Sequence, residues 1–138
     1  MQINPYLFFS GQCEAAFKFY AQIFGGKIDA MLTHEGTPAE SHVPAEWRSK
    51  IMHARMTIGD WVLMASDAPP GRSQPPQGFS VHISVDEPAE AERIFKALAD
   101  GGQVRMAMEQ TFWAERFGMV TDQFGVPWMI NYEGSASP

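Results

Sequence analysis

An internal repeat constrains the fold of this chain more than any other feature of its sequence. Residues 14–28, EAAFKFYAQIFGGKI, match residues 90–104, EAERIFKALADGGQV, with six of fifteen positions identical. In each copy apolar residues recur at the i, i+3, i+4, i+7 spacing of a helix with one buried face. In each copy the predicted helix stops at a Gly-Gly pair, which suits a left-handed helix cap. A repeat of this length indicates one structural unit built twice.

Strand-like runs surround each predicted helix in the same order. One run precedes each helix, at residues 5–9 and 79–85. Three runs follow each helix, at 27–33, 51–58 and 61–66 in the first half and at 103–107, 116–121 and 126–132 in the second. The pattern predicts an α+β fold of two tandem βαβββ modules, with cupped mixed sheets and helices on their convex faces.

The same pattern predicts how the chain is divided. We expect residues 1–68 to form the first module, residues 69–133 a linker and the second module, and residues 134–138 a flexible tail. A chain of 138 residues is long enough for one compact domain overall.

The stretch KIMHARMTIGDWVLMASD, residues 50–67, predicts a hairpin whose two turn residues are Gly59 and Asp60. That turn pairs Ile58 with Trp61 and Arg55 with Met64, and paired antiparallel residues share a face. The helix-covered face then holds Met52, Ala54, Met56, Ile58, Trp61 and Leu63. The opposite, cup-lining face holds His53, Arg55, Thr57, Val62, Met64 and Ser66.

Charge and cysteine content exclude several classes of protein. A net charge of −6 and a pI near 5.1 argue against binding to nucleic acid or to an anionic membrane. From the stretch MQINPYLFF we expect no signal peptide or membrane span, and the single cysteine, Cys13, excludes an internal disulfide framework. We therefore expect a cytoplasmic protein, with Cys13 in a structural role.

His53 and Arg55 are the first candidate site residues. They can project into the cup, where a guanidinium and an imidazole orient a carboxylate, phosphate or enolate. The alternative is that His53 hydrogen-bonds to backbone while Arg55 pairs with an acidic residue at a rim. In the second half, His82 shares its face with Ser80 and Ser84. It is either a general base or a structural histidine.

The remaining histidines and the tryptophans are interpreted more simply. His34 and His42 lie in the long connection 34–49 and are expected to be solvated. Trp113 either stacks on a ligand over the second cup or fills core space at a strand start. By the hairpin register and the strand alternation, Trp61 and Trp128 belong to the core.

Three stretches of the chain resemble one known superfamily: PYLFFSGQCEAAFKFYAQIFGG, KIMHARMTIGDWVLMASD and TFWAERFGMVTDQFGVPWMIN. Together with the second helix they resemble the vicinal oxygen chelate superfamily, also called the glyoxalase/bleomycin resistance/dioxygenase fold. The resemblance is strongest to its PhnB-like group, some of whose members carry a 3-demethylubiquinone methyltransferase label. It implies two βαβββ modules, cupped sheets and a homodimer. The chain has no glycine-rich nucleotide-binding loop that would support the methyltransferase label.

The resemblance also implies where a divalent metal would be held. The family's four ligand places fall on Asn4 (or Pro5), Met64, Ser80 and Met129. An amide, a hydroxyl and two thioethers are poor ligands for a hard divalent ion. We therefore expect no metal at these places and no cofactor. A metal could also be held elsewhere, on His53, His82 and a carboxylate, but the spacing of these residues in the sequence does not support such a site.

Two functions remain open at this point. The first is a protein that binds a small, aromatic or anionic molecule without chemistry, through residues that line the cups: His53, Arg55, Met64, Ser80, His82, Trp113 and Met129. The second is a lyase or dioxygenase-like enzyme that is metal-independent or has a relocated metal. In that enzyme His53 or His82 would act as base and Arg55 would hold an oxyanion.

Overall fold

The structure, a computed structural model, describes residues 1–136. The chain divides into two compact units, Met1–Gln74 and a second that begins at Pro75. The predicted tail lies partly outside the described residues, because these end at Ala136. The predicted boundaries at residues 68 and 133 stay predictions.

The first unit contains one helix and a four-stranded mixed sheet in the order β1-β4-β3-β2. Strand β1 pairs parallel to β4, and the other neighbours are antiparallel. Two short 3₁₀ turns, Pro38–His42 and Ala45–Trp47, lie between β2 and β3. The elements are β1 (Tyr6–Phe9), α1 (Cys13–Phe24), β2 (Lys27–Thr33), β3 (Ile51–Ile58) and β4 (Trp61–Asp67).

The second unit repeats this arrangement, with sheet order β5-β8-β7-β6 and the same parallel and antiparallel pairing. Its elements are β5 (Val81–Ser84), α2 (Pro88–Ala99), β6 (Gln103–Glu109), β7 (Arg116–Thr121) and β8 (Pro127–Tyr132). The prediction of an α+β fold with two βαβββ modules is confirmed. The sheets are curved and do not close.

Strand β5 is shorter than the predicted run 79–85. Val81 pairs with Trp128, so Ser80 falls opposite Pro127. Proline has no N–H to donate to a ladder, and the parallel pairing therefore begins at Val81.

Each helix packs on one face of its own sheet, and glycines allow close packing on that side. A Cβ on Gly26 would meet the Met56 side chain, and a Cβ on Gly118 would meet the Phe95 ring of α2. The left-handed cap predicted for α1 is present at Gly25, with φ 65°. We call the opposite face of each sheet, which its helix does not contact, the helix-free face.

A buried carboxylate fastens the start of α1 to the sheet. Asp67 Oδ1 accepts from Gly11 N at 2.8 Å and Cys13 N at 3.0 Å, and Asp67 Oδ2 accepts from Ile51 N at 2.9 Å. Since the N-terminal N–H groups of a helix have no intrahelical partner, this side chain of β4 satisfies one of them, that of Cys13. In the second unit the buried carboxylate of Asp122 holds the turn between β7 and β8 instead, accepting from Val126 N at 3.0 Å and from Trp128 Nε1 at 2.9 Å.

The predicted hairpin register is confirmed, because Ile58 pairs with Trp61 and Arg55 with Met64. Two burial predictions are wrong. Trp61 is 77% exposed rather than core, because it lies at the hairpin tip, beyond the surface that α1 covers. His34 is buried rather than solvated, because its Nδ1 lies 2.9 Å from Lys50 O and its backbone N–H also bonds there, which closes the base of the connection. Trp128 is core, as predicted.

Candidate functional site

The helix-free face of the first unit brings together three predicted site residues. Arg55 and Met64 are direct cross-strand partners on β3 and β4, and His53 lies two residues from Arg55 on the same face. All three are half-buried. The alternation of hydrophobic and polar residues in β3 was therefore a reliable guide to which side chains share this surface.

Tyr6 belongs to this group, although sequence reasoning did not single it out. Strand β1 places Tyr6 next to Met64, and the Tyr6 hydroxyl lies 3.2 Å from His53 Nδ1. The Tyr6 ring is stacked on His53 at a centroid distance of 5.9 Å and lies 5.1 Å from the Phe8 ring. Leu7 and Phe9 are buried while Tyr6 and Phe8 are exposed, so strict alternation in PYLFF was the available signal.

Asp29 is the second residue that sequence reasoning missed. A bulge between Ile28 and Ala30 leaves Asp29 without a cross-strand partner. Its Oδ2 accepts from Arg55 Nη1 at 3.1 Å and from the Thr57 hydroxyl. Bulges re-aim side chains and cannot be located from hydrophobic periodicity alone. The sequence alternative to ligand binding is therefore found in part: Arg55 pairs with an acidic residue, whereas His53 lies beside the Tyr6 hydroxyl and not a backbone group.

The second unit places the other candidates on its helix-free face. His82 and Met129 are cross-strand partners on β5 and β8, and His82 is exposed while Met129 is half-buried. Ser80 precedes β5 and is half-buried. One row further along, Ser84 pairs with Asn131. His53 and His82 therefore belong to different units, each with its own neighbours.

Trp113 lies on the turn that leads into β7. The Thr111 hydroxyl accepts from the backbone N–H groups of Trp113 and Ala114 at 3.3 and 3.1 Å, which holds the turn. The half-buried indole packs edge-on against Phe117 at 5.2 Å, and the exposed Phe112 ring lies 4.8 Å from it. Trp113 therefore covers a buried aromatic residue and also keeps part of its surface accessible.

The residues that the resemblance assigns to the family's metal places, Asn4 or Pro5, Met64, Ser80 and Met129, do not have the side-chain chemistry that a divalent ion needs. They supply an amide or a proline, a hydroxyl and two thioethers, and hard ions need carboxylates or imidazoles. Within residues 1–136, no three His, Cys, Asp or Glu side chains form a group that could hold a metal. No step of a mechanism can be derived through a metal at these positions.

Among the side chains near the first sheet, the Cys13 thiol has the largest pKa shift. Burial, with the nearby Asp67 carboxylate second, raises the pKa of the Cys13 thiol to about 12. The effect of burial and of the Asp67 charge exceeds that of the helix N-terminus, which would lower the pKa of the thiol. Cys13 is a neutral core residue.

The fold, with one helix-free face on each sheet, defines a class of tandem βαβββ proteins. Comparison with known families identifies which family of this class the chain belongs to. Residues 2–130 match the family model described as the glyoxalase/bleomycin resistance protein/dioxygenase superfamily. The chain belongs to this superfamily, and the resemblance inferred from the sequence is confirmed.

Individual relatives agree with this assignment. Protein YjdN of Escherichia coli K12 is 35% identical over 139 residues, which cover 95% of each chain. The crystal structure of protein PA1353 from Pseudomonas aeruginosa is 49% identical, covers 98% of this chain and 99% of its own, and superposes with a TM-score of 0.89. A PhnB protein from Bacillus cereus, named provisionally as a 3-demethylubiquinone-9 3-methyltransferase, shares the fold at 21% identity and a TM-score of 0.81, with coverage of 96% and 99%.

Both α-helices in residues 1–136 are short. Each has 12 residues, and neither is long and apolar enough to cross a bilayer.

Proposed function

We propose that this protein binds a small aromatic or anionic molecule on its helix-free faces and performs no chemistry on it. The observation that carries the proposal is the arrangement of Tyr6, Phe8 and His53 on the first sheet. Two exposed aromatic rings stand beside a hydrogen-bonded imidazole, with a guanidinium on the same face. Aromatic and apolar side chains with a few placed polar groups are typical of the lining of small-molecule sites.

Each of the residues has a distinct role in this proposal. The rings of Tyr6 and Phe8 provide stacking surface, and Met64 provides adaptable apolar contact beside them. The Tyr6 hydroxyl and His53 donate or accept hydrogen bonds. Arg55 attracts an anionic group, although it must share its charge with Asp29. In the second unit Ser80, His82, Trp113 and Met129 offer an equivalent combination of polar, aromatic and thioether groups.

The donor chemistry at the family's metal places favours binding over catalysis. A lyase or dioxygenase that polarises its substrate with a metal needs carboxylate or imidazole ligands, and the resemblance assigns two of the ligand places to the thioethers of Met64 and Met129.

The proposal is tested by titrating the protein with benzoate, phenol and benzylphosphonate while recording backbone amide NMR shifts. We expect shifts at Tyr6, His53 and Met64, and weaker binding in His53→Ala and in Tyr6→Phe. The control is Trp61→Ser, which changes an exposed aromatic residue at the hairpin tip. Metal content is measured in protein purified without chelator. A stoichiometric metal that is lost in His53→Ala or His82→Ala would overturn the proposal.

We also propose that the protein is a cytoplasmic homodimer. Support for the dimer comes from exposed large apolar side chains outside the candidate sites, among them Ile3, Leu32 and Phe79, which a second copy can cover. Support for the cytoplasm comes from the free, buried Cys13. Light scattering on the purified chain should give twice the mass of 15.4 kDa, and a monomer at micromolar concentration would contradict this part of the proposal.

A further inference from the structure

Asn131 carries an unusual feature on the second sheet. The residue is 7% exposed, and its Oδ1 is buried without a hydrogen-bond partner among the residues that the structure describes. Only one other buried side-chain polar atom in residues 1–136, Trp47 Nε1, shares this condition. Native proteins pair nearly all such groups, because an orphaned one keeps its full desolvation cost.

The Asn131 side chain belongs to the helix-free face. Its neighbours in β8, Ile130 and Trp128, point to the helix side, since Trp128 Nε1 bonds to Asp122 and Ile130 pairs with Gly118 beside α2. Alternation along the strand therefore directs Asn131 and Met129 to the other side. Asn131 lies in a cross-strand row with Ser84 on β5 and Phe117 on β7.

The row is next to the candidate ligand-binding residues. Phe117 is covered edge-on by Trp113, and a row two residues away pairs His82 with Met129. The unpaired oxygen is therefore flanked by an aromatic wall on one side and by polar, accessible residues on the other. An acceptor in such a position distinguishes molecules that carry a hydrogen-bond donor from those that do not.

The geometry points to Asn131 as the residue that selects the ligand of the second unit. Its amide oxygen accepts a hydrogen bond from an O–H or N–H group of an aromatic small molecule that packs against Trp113 and Met129. The inference rests on the proposed function, because it names the ligand chemistry of one of the two faces. It adds a requirement for a donor to the aromatic and anionic character already proposed.

The test uses two probes of nearly equal shape, phenol and toluene. Amide NMR titrations of the full chain give the ratio of the two dissociation constants in the wild type and in Asn131→Leu. Because a net hydrogen bond changes affinity by about threefold to tenfold, the preference for phenol should fall by about that factor in the variant. The control Gln103→Leu removes an exposed polar side chain at the far end of the same sheet and should leave the ratio unchanged.

Two further readouts do not depend on the binding ratio of the variant. In the wild type, the side-chain amide signal of Asn131 should move with phenol and stay in place with toluene, which keeps the test valid if Asn131→Leu does not fold. The melting temperature of a folded Asn131→Leu should equal or exceed that of the wild type, because the variant removes an unpaired buried oxygen. A purely structural asparagine would give a lower melting temperature.

The possible failures are distinguishable. Phenol and toluene could both bind near Trp113 and Asn131 with the same ratio of dissociation constants in wild type and variant. The inference is then wrong and the proposed function stands. A solvent molecule bonded to Asn131 would give this result. The other failure is that none of the four probes (benzoate, phenol, benzylphosphonate and toluene) perturbs a residue of either helix-free face. In that case both the inference and the proposed function are wrong.

Discussion

Arg55 Nη1 donates a hydrogen bond to Asp29 Oδ2 at 3.1 Å, across the bulged pair of strands β2 and β3. Both side chains remain partly exposed. A pair of this kind contributes little to stability, because solvent screens the charges, but it determines how much positive charge a ligand meets. Asp29 therefore weakens the attraction of the first helix-free face for anions.

Asp29→Asn should strengthen anion binding. Removal of the competing carboxylate leaves the Arg55 charge available, so the dissociation constant of benzoate should fall by about threefold to tenfold at low salt. The free energy of unfolding should change by less than about 1 kcal/mol. The matched control is Asp60→Asn at the exposed hairpin turn, which changes the net charge equally. Equal effects of both variants would show that only net charge matters.

Asp67→Asn should destabilise the first unit strongly. The carboxylate accepts three backbone N–H groups at the junction of β4, α1 and β3, and the amide offers one acceptor oxygen in their place. We expect a loss of about 2–4 kcal/mol in the free energy of unfolding, measured by urea denaturation. Asp100→Asn, on the exposed surface after α2, should be nearly neutral. A loss of similar size there would contradict the assignment.

The Cys13 thiol should be unreactive in the folded protein. Because burial raises its pKa to about 12 from an ordinary 9.0, the thiol stays neutral and inaccessible at mildly alkaline pH. Alkylation by iodoacetamide should be at least about a hundredfold slower in native than in urea-unfolded protein. Rapid alkylation of the native chain would show that Cys13 is accessible.

The same pKa shift affects stability in alkaline solution. The raised pKa means that the stabilising contribution of the neutral thiol is complete below pH 9 and is lost as the pH rises toward 12, because the unfolded chain ionises first. Cys13→Ala should therefore lose less stability than the wild type as the pH rises from about 9 to about 11, as followed by urea denaturation at each pH. Parallel profiles for the two proteins would contradict this expectation.

Trp61 and Trp128 should respond in opposite ways to solvent probes and to mutation. Iodide should quench Trp61, which is 77% exposed, and leave Trp128 unaffected. Trp61→Ser should cost less than about 0.5 kcal/mol, whereas Trp128→Phe should cost about 1–3 kcal/mol because it removes the donor to buried Asp122. Comparable costs for the two variants in thermal unfolding would be inconsistent with the structure.

Hydrophobic periodicity predicted most of the secondary structure. The runs at 27–33, 51–58 and 116–121 correspond to strands with the same bounds, and the Gly59-Asp60 turn predicted the pairing of Arg55 with Met64. These features are local, because side-chain alternation and turn chemistry act between residues that are close along the chain. The superfamily followed from the same stretches.

The composition of the candidate site was predicted only in part. His53, Arg55 and Met64 were assigned to one face from strand alternation, but their partners come from strands that are distant in the sequence. Tyr6 reaches His53 because β1 pairs in parallel with β4, and Asp29 reaches Arg55 because of a bulge.

The sequence by itself therefore determined the order of the elements, the two-module fold and the sheet face shared by the candidate residues His53, Arg55 and Met64. Only the tertiary structure decided which side chains meet. It paired Arg55 with Asp29, placed His34 inside, left Trp61 in solvent and isolated the amide oxygen of Asn131. The physical reason is that periodicity reports the direction of a side chain relative to its own strand, whereas burial and hydrogen bonding depend on what the rest of the chain brings beside it.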